Sequence, residues 1–225
     1  MRATQNTIEL GDVRSAYDAI VIGAGPAGCG AAACLAANGA SVLLVEATPR
    51  AARRFAGEWI HPEGARVLSE RGLLEGLDSR VESSGFVVCP NDGLGPIHLD
   101  YPQGARGFTC EHERLVTHLR QRIAHVPGVD YLEGVRALPV DGRTADLVSR
   151  TRGAVRVYAD RIVVAAGRSS REASPGAPES RDRVQISSMA GLLVTDATLP
   201  VDGFGHVIVG GPGPLLAYRI DEHRI

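Results

Sequence analysis

Tyr17-Asp-Ala-Ile-Val-Ile-Gly-Ala-Gly-Pro-Ala-Gly-Cys-Gly-Ala-Ala-Ala33, closed by Val42-Leu-Leu-Val-Glu46, decides the fold of this chain. It spells an apolar strand, a tight glycine turn, a helix of small residues, a second apolar strand and an acid at its end. That order is a dinucleotide-binding βαβ unit. Gly23 makes the turn, Gly25 lets the backbone approach a pyrophosphate, and Gly28 lets the helix pack close on the strand. Pro26 and Ala27 open the helix, where a missing N–H costs nothing and the positive dipole end faces the phosphates. Glu46 stands about 20 residues past the glycines, placed to bind the ribose hydroxyls of an adenosine. An ordinary glycine-rich βα turn would show the glycines without both strands, the acid and the spacing.

The 225 residues are enough for one or two domains with a sizeable core. A 44% hydrophobic content and a net charge of −2 mark a globular chain with no long-range pull toward nucleic acid. Aromatic residues, at 4%, are too sparse for a base-stacking surface. All 24 basic residues are arginine, interleaved with acids rather than gathered in a run. The four cysteines, at positions 29, 34, 89 and 110, form no CxxC, which fits a reduced, cytoplasmic setting and no metal site. The first residues are polar, with no signal peptide, and no segment is apolar for long enough to span a bilayer.

Outward from the nucleotide unit, a helix is expected from Pro62 to Gly72, and strands at Phe86–Cys89 and Ile97–Tyr101 around Pro90-Asn-Asp-Gly. Glu111 to Ala124 reads as a helix with Leu115, Leu119 and Ile123 on one face. Short strands are expected at Val129–Glu133, at Val135–Val140 and around Val148 and Val155–Tyr158. Arg161-Ile-Val-Val-Ala-Ala-Gly167 reads as a buried parallel strand opening into a loop. Ser169 to Arg183 is a polar linker. Gly191–Thr195, His206–Val209 and Pro214–Ile220 read as strands of an antiparallel sheet. The tyrosines at 101, 131, 158 and 218 read as sheet packing.

Several further blocks carry a resemblance. They are Arg54-Phe-Ala-Gly-Glu-Trp-Ile-His-Pro62, Leu99-Asp-Tyr-Pro102, His112-Glu-Arg-Leu with Leu119-Arg120, Glu133-Gly-Val135, Ala165-Ala-Gly-Arg-Ser-Ser-Arg171 and Gly213-Pro-Leu-Leu-Ala-Tyr-Arg-Ile. In order and spacing the chain resembles the FAD-dependent monooxygenases of the para-hydroxybenzoate hydroxylase fold, and within them the squalene epoxidase branch. The resemblance implies an α/β fold: a Rossmann-like FAD-binding domain with an incomplete antiparallel substrate-side sheet. It places the FAD-binding domain at 16–80 and 107–183, the substrate-side sheet at 81–106 and 184–225, and a polar tail at 1–15. It also implies FAD contacts at Gly23, Gly25, Pro26, Ala27, Gly28, Glu46, Ala166 and Gly167. Arg54 and Arg114 match arginines that line the flavin site, where charge-assisted bonds to a pyrophosphate suit them. Val135 matches the residue whose backbone contacts adenine.

The implied activity is hydroxylation or epoxidation of a small lipophilic substrate with O2. Reduced flavin forms a C4a-hydroperoxide that transfers one oxygen atom, and electrons come from NAD(P)H or a reductase partner. No side chain is singled out as a catalytic acid or nucleophile. Ser169 and Ser170 lack the Gly-x-Ser-x-Gly elbow. Glu58 is expected either to orient the flavin surroundings or to pair with Arg53 or Arg54, and His61 to cap or pack. Three departures from the family stand out. Ala166-Gly167 replaces an Asp-Gly, and Gly85-Phe86 stands where squalene epoxidases carry a tyrosine. The later Gly-Asp motif has no counterpart, so the chain is expected to be a fragment or a shortened relative. Two other readings stay open: a geranylgeranyl-reductase type of FAD enzyme, and a truncated, non-catalytic remnant of the FAD fold. A flavin halogenase would need a Trp-x-Trp motif, and the chain has one tryptophan.

Overall fold

The computed structural model describes residues 7–48, 57–90, 92–151, 153–167 and 190–225. In chain order the first strands are β1 (Ala16–Ile22), β2 (Val42–Glu46), β3 (Gly57–Ile60), β4 (Val81–Ser83), β5 (Gly85–Cys89), β6 (Ile97–Asp100) and β7 (Gly107–Glu111). They are followed by β8 (Val129–Glu133), β9 (Arg136–Pro139), β10 (Thr144–Ser149), β11 (Gly153–Val164), β12 (Phe204–Ile208) and β13 (Leu215–Ala217). The helices are α1 (Pro26–Ala37), α2 (Pro62–Glu70) and α3 (His112–Ile123). The chain divides into two compact units. Among the described residues the first holds 7–48, 71–74, 116–151 and 153–167, and the second holds 57–70, 75–90, 92–115 and 190–225.

The first unit is built on a six-stranded sheet in the order β8-β2-β1-β11-β10-β9. β8, β2, β1 and the end of β11 run parallel. Val42, Leu43, Leu44 and Val45 of β2 are all buried, which is why the central strands read as unbroken apolar runs. One of their faces presents Ile20, Ile22, Leu43, Val45 and Leu132, and the antiparallel arm of β9, β10 and β11 packs Ala137, Ala145, Leu147 and Val157 into the same core. Leu10, in the polar N-terminal stretch, joins that core at 3% exposure. The helix expected over Glu111–Ala124 is α3, and its Leu115, Leu119 and Ile123 are fully buried.

β11 corrects one expectation. The apolar run at Arg161–Val164 is parallel to β1 as expected, but it is not buried throughout: Val164 is 40% exposed. β10 pairs with Gly153–Tyr158, so among the described residues the last residues of β11 have a neighbouring strand on one side alone.

The second unit has a four-stranded sheet, β13-β12-β5-β6, and a three-stranded sheet, β3-β7-β4. The four-stranded sheet was expected to be antiparallel and is mixed: β12 lies parallel to β5, while β6 and β13 are antiparallel to their neighbours. Gly191–Thr195 forms no strand; Thr195 makes a single bridge to Arg224. The linker expected at Ser169–Arg183 lies outside the described residues.

Candidate functional site

The glycine turn separates what the protein demands of each glycine from what it leaves open. Gly23 has φ +103°, and a Cβ there would lie 2.6 Å from the Ala165 carbonyl oxygen. A Cβ on Gly28 would fall 1.8 Å from the Gly23 carbonyl oxygen, so helix and turn touch only because that carbon is missing. Gly25 is different: a Cβ there would meet nothing within 4 Å. It N-caps α1 without any side-chain cap, Pro26 follows, and Ala27 is exposed. A Cβ at Gly25 would thus find free space beside the start of α1, where no side chain caps the helix.

Glu46 closes β2 and turns back on the glycine turn. Its Oε2 accepts from the Ala24 N–H at 2.8 Å and its Oε1 from the Thr48 N–H at 2.9 Å. Arg120, in the last turn of α3, lies 3.0 Å from the same Oε2. Its guanidinium also donates through Nε to the Ala24 carbonyl at 3.1 Å and through Nη1 to the Thr48 carbonyl at 2.8 Å. Nη1 reaches Glu133 Oε1 at 3.4 Å, an oxygen that also accepts from the Tyr131 hydroxyl at 2.9 Å. The sequence marks Arg120 only as part of a matching block, not as a site residue. A signal is nevertheless there: it adjoins Leu119 and sits one turn beyond Val116, both buried, so a charge at this position has to find internal partners.

The other expected site residues are placed as follows. Val135 is 4% exposed, and its N–H, like that of Gly134, donates to the Glu46 carbonyl, at 3.2 and 2.8 Å. Ala166 and Gly167 follow Ala165 in the loop after β11, and Gly167 has φ +76°. Arg114 belongs to the second unit; its side chain is 54% exposed and lies 3.5 Å from Glu111. Arg54 lies outside the described residues.

In the second unit, Trp59 stacks on Phe86 at 4.5 Å and donates through Nε1 to the Tyr101 hydroxyl at 3.0 Å. His61 Nδ1 meets the same hydroxyl at 2.6 Å, so its side chain joins an aromatic cluster rather than capping α2. Gly205 makes room for the indole: a Cβ there would lie 2.1 Å from the Trp59 ring. Tyr101 and Tyr218 lie just past their strands and use their hydroxyls, Tyr218 donating to the Gly57 carbonyl at 3.1 Å. Glu58 pairs with His112 Nδ1 at 2.5 Å; Arg53 and Arg54 lie outside the described residues. Ile97, Val88, Val207 and Leu216 form one row across the four-stranded sheet, and Ile97 and Leu216 are each more than half exposed. A cleft of about 300 Å³ is bordered by Thr109, Phe204 and Tyr218. All four cysteines are free, and burial pushes the Cys29 and Cys110 thiols up to about 12. Among the described residues no cluster of His, Cys, Asp or Glu could hold a metal, and no helix is long and apolar enough to cross a membrane.

The glycine turn, the acid behind it and the open helix N-terminus agree with one finding: residues 16–212 match the family described as FAD binding domain. This chain belongs to that family. Squalene epoxidase of Aspergillus fumigatus is 30% identical over 92% of this chain, and the match covers 45% of that protein. The chain thus spans under half the length of that relative. Among solved structures, a myxobacterial FAD-dependent halogenase overlays 94% of this chain and 52% of its own with a TM-score of 0.69 at 17% identity. A probable FAD-dependent monooxygenase of Pseudomonas aeruginosa overlays 93% of this chain and 58% of its own, with a TM-score of 0.64 at 20% identity. These overlays establish the fold: α/β, of the FAD-binding para-hydroxybenzoate hydroxylase type.

Proposed function

We propose that this chain forms the FAD-binding part of a flavin-dependent monooxygenase that hydroxylates or epoxidises a lipophilic organic molecule. The observation that carries it is the contrast within the glycine turn. Packing requires glycine at 23 and 28, whereas at 25 the protein leaves open space beside an uncapped helix N-terminus, where a phosphate gains from free N–H groups and the dipole. The first turn at Gly25, Pro26, Ala27 and Gly28 would hold the FAD pyrophosphate, and Glu46 the adenosine ribose. The Val135 N–H is engaged by Glu46, so its carbonyl oxygen would take the adenine amino group. Ala166 and Gly167 would line the flavin side.

Bound flavin supplies the activation of O2 and the transfer of one oxygen atom. The chain's own task is to bind, orient and keep water out. The apolar row of the four-stranded sheet, exposed at Ile97 and Leu216, supports a lipophilic substrate. NAD(P)H, directly or through a reductase partner, is the electron source we assign, in the cytoplasm.

The test is to supply the protein with FAD, NADPH, a reductase and squalene or shorter polyprenes under 18O2. A product carrying one 18O atom is expected. A reduced product without 18O would instead assign a reductase, and failure to bind FAD at all would remove the cofactor site.

A further inference from the structure

Arg120 touches neither of the surfaces assigned above to phosphate or flavin, yet it ties together four pieces of the nucleotide site. One guanidinium reaches the glycine turn through the Ala24 carbonyl, the segment after β2 through the Thr48 carbonyl, and the two acids Glu46 and Glu133. These acceptors lie in different directions around a planar group, and its side chain is 10% exposed. A lysine, with three donors on one nitrogen, cannot reproduce that fork.

The consequence falls on Glu46. A carboxylate offers about four acceptor directions. Ala24 N–H and Arg120 occupy Oε2, and Thr48 N–H occupies one direction of Oε1. Glu46 is thereby held in one orientation, with Oε1 carrying the remaining capacity. Without Arg120, Glu46 and Glu133 would also share a poorly solvated region with no cation between them.

We infer that Arg120 is a positioning residue: by pinning Glu46 it sets the preference of this site for a nucleotide with intact ribose hydroxyls over a 2′-deoxynucleotide. This rests on the reading of Glu46 as the ribose ligand. The role is one of orientation, since the guanidinium is engaged on the protein side by Ala24, Thr48, Glu46 and Glu133.

The test titrates the 225-residue chain with ADP and 2′-deoxy-ADP by calorimetry, for the unchanged protein, Arg120→Lys, Glu46→Gln and the double variant. The unchanged chain is expected to prefer ADP by about tenfold or more, the size of a charge-assisted hydrogen bond. In Arg120→Lys the preference should shrink to within about threefold, mostly through weaker ADP binding, and adding Glu46→Gln should lower it no further. Equal weakening of both nucleotides by Arg120→Lys would show a purely structural arginine and overturn the inference. If Arg120→Lys does not fold, Glu133→Gln decides. It leaves Glu46 as the one carboxylate of the four partners on Arg120, beside the Ala24 and Thr48 carbonyls, so the preference should hold or rise, and a fall would overturn the inference. Two results in the unchanged chain lie further back. Binding of both nucleotides with no preference removes Glu46 as the ribose ligand, and no binding of ADP or FAD removes the nucleotide site itself; either overturns the role of Arg120 with it.

Discussion

In the first unit the buried Arg120, 8% exposed, is set among two carboxylates and two carbonyls; in the second the buried His206, 1% exposed, accepts a bond from the Val201 N–H at 3.2 Å. An arginine cannot shed its charge, so burying it obliges the fold to bring carboxylates to it. A histidine can be buried as the neutral ring, and desolvation holds the His206 pKa below its usual value. Removing one partner of the first arrangement leaves a charge uncompensated in a poorly exposed place. The second tolerates the loss of a single bond and is sensitive to acid.

The sharpest way to break the contrast is Arg120→Ala. Two carboxylates and two carbonyls lose a shared partner, and the protein should lose about 3–5 kcal/mol, measured by urea unfolding, together with FAD binding. A loss below about 1 kcal/mol would mean the hub is not a stabilising feature. Next comes Glu46→Ala, expected to weaken FAD binding by about 1.5–3 kcal/mol in a fluorescence titration. Unchanged affinity would contradict the placement of the ribose.

Gly28→Ala should destabilise by about 1–3 kcal/mol, because its Cβ would fall 1.8 Å from a backbone oxygen. Gly25→Ala should leave stability within about 0.5 kcal/mol and act on FAD affinity alone. Equal behaviour of the two glycines in thermal melts and titrations would erase the distinction on which the phosphate site rests.

The smallest effect concerns His206. Its folded pKa lies below the unfolded value of 6.5, so below about pH 6.5 the unfolded chain binds the extra proton first. Stability should therefore fall as pH drops through that range, by no more than about 1.4 kcal/mol per pH unit. His206→Gln should flatten the slope between pH 7.5 and 5.5. Carboxylates such as Asp18, held below the usual range by hydrogen bonds from Ser41, and Asp146, held so by Arg156, lose their contribution only below about pH 3.8. The two windows are separable, and an unaltered slope in His206→Gln would assign the sensitivity elsewhere.

Much of the nucleotide unit is legible in the order of its residues because its constraints are local. A positive φ at Gly23, the missing Cβ at Gly28, the apolar runs of β1 and β2 and the acid at position 46 all act within about thirty residues of one another, and each leaves a mark on residue type. The helical face of Leu115, Leu119 and Ile123 is local in the same sense. Tertiary structure alone decided that Arg120 would reach back 96 residues to Ala24 and that β12 would lie beside β5 in parallel. It also brought Trp59, Phe86, Tyr101 and Tyr218 into one cluster and joined β3, β4 and β7 in a sheet. The alternating pattern of a strand states which face is buried but not which strand lies beside it or in which direction. A charged residue on an apolar helical face states that a partner is needed but not where the chain will supply it. Those choices are made by how distant segments close upon one another, which residue types along the chain do not record.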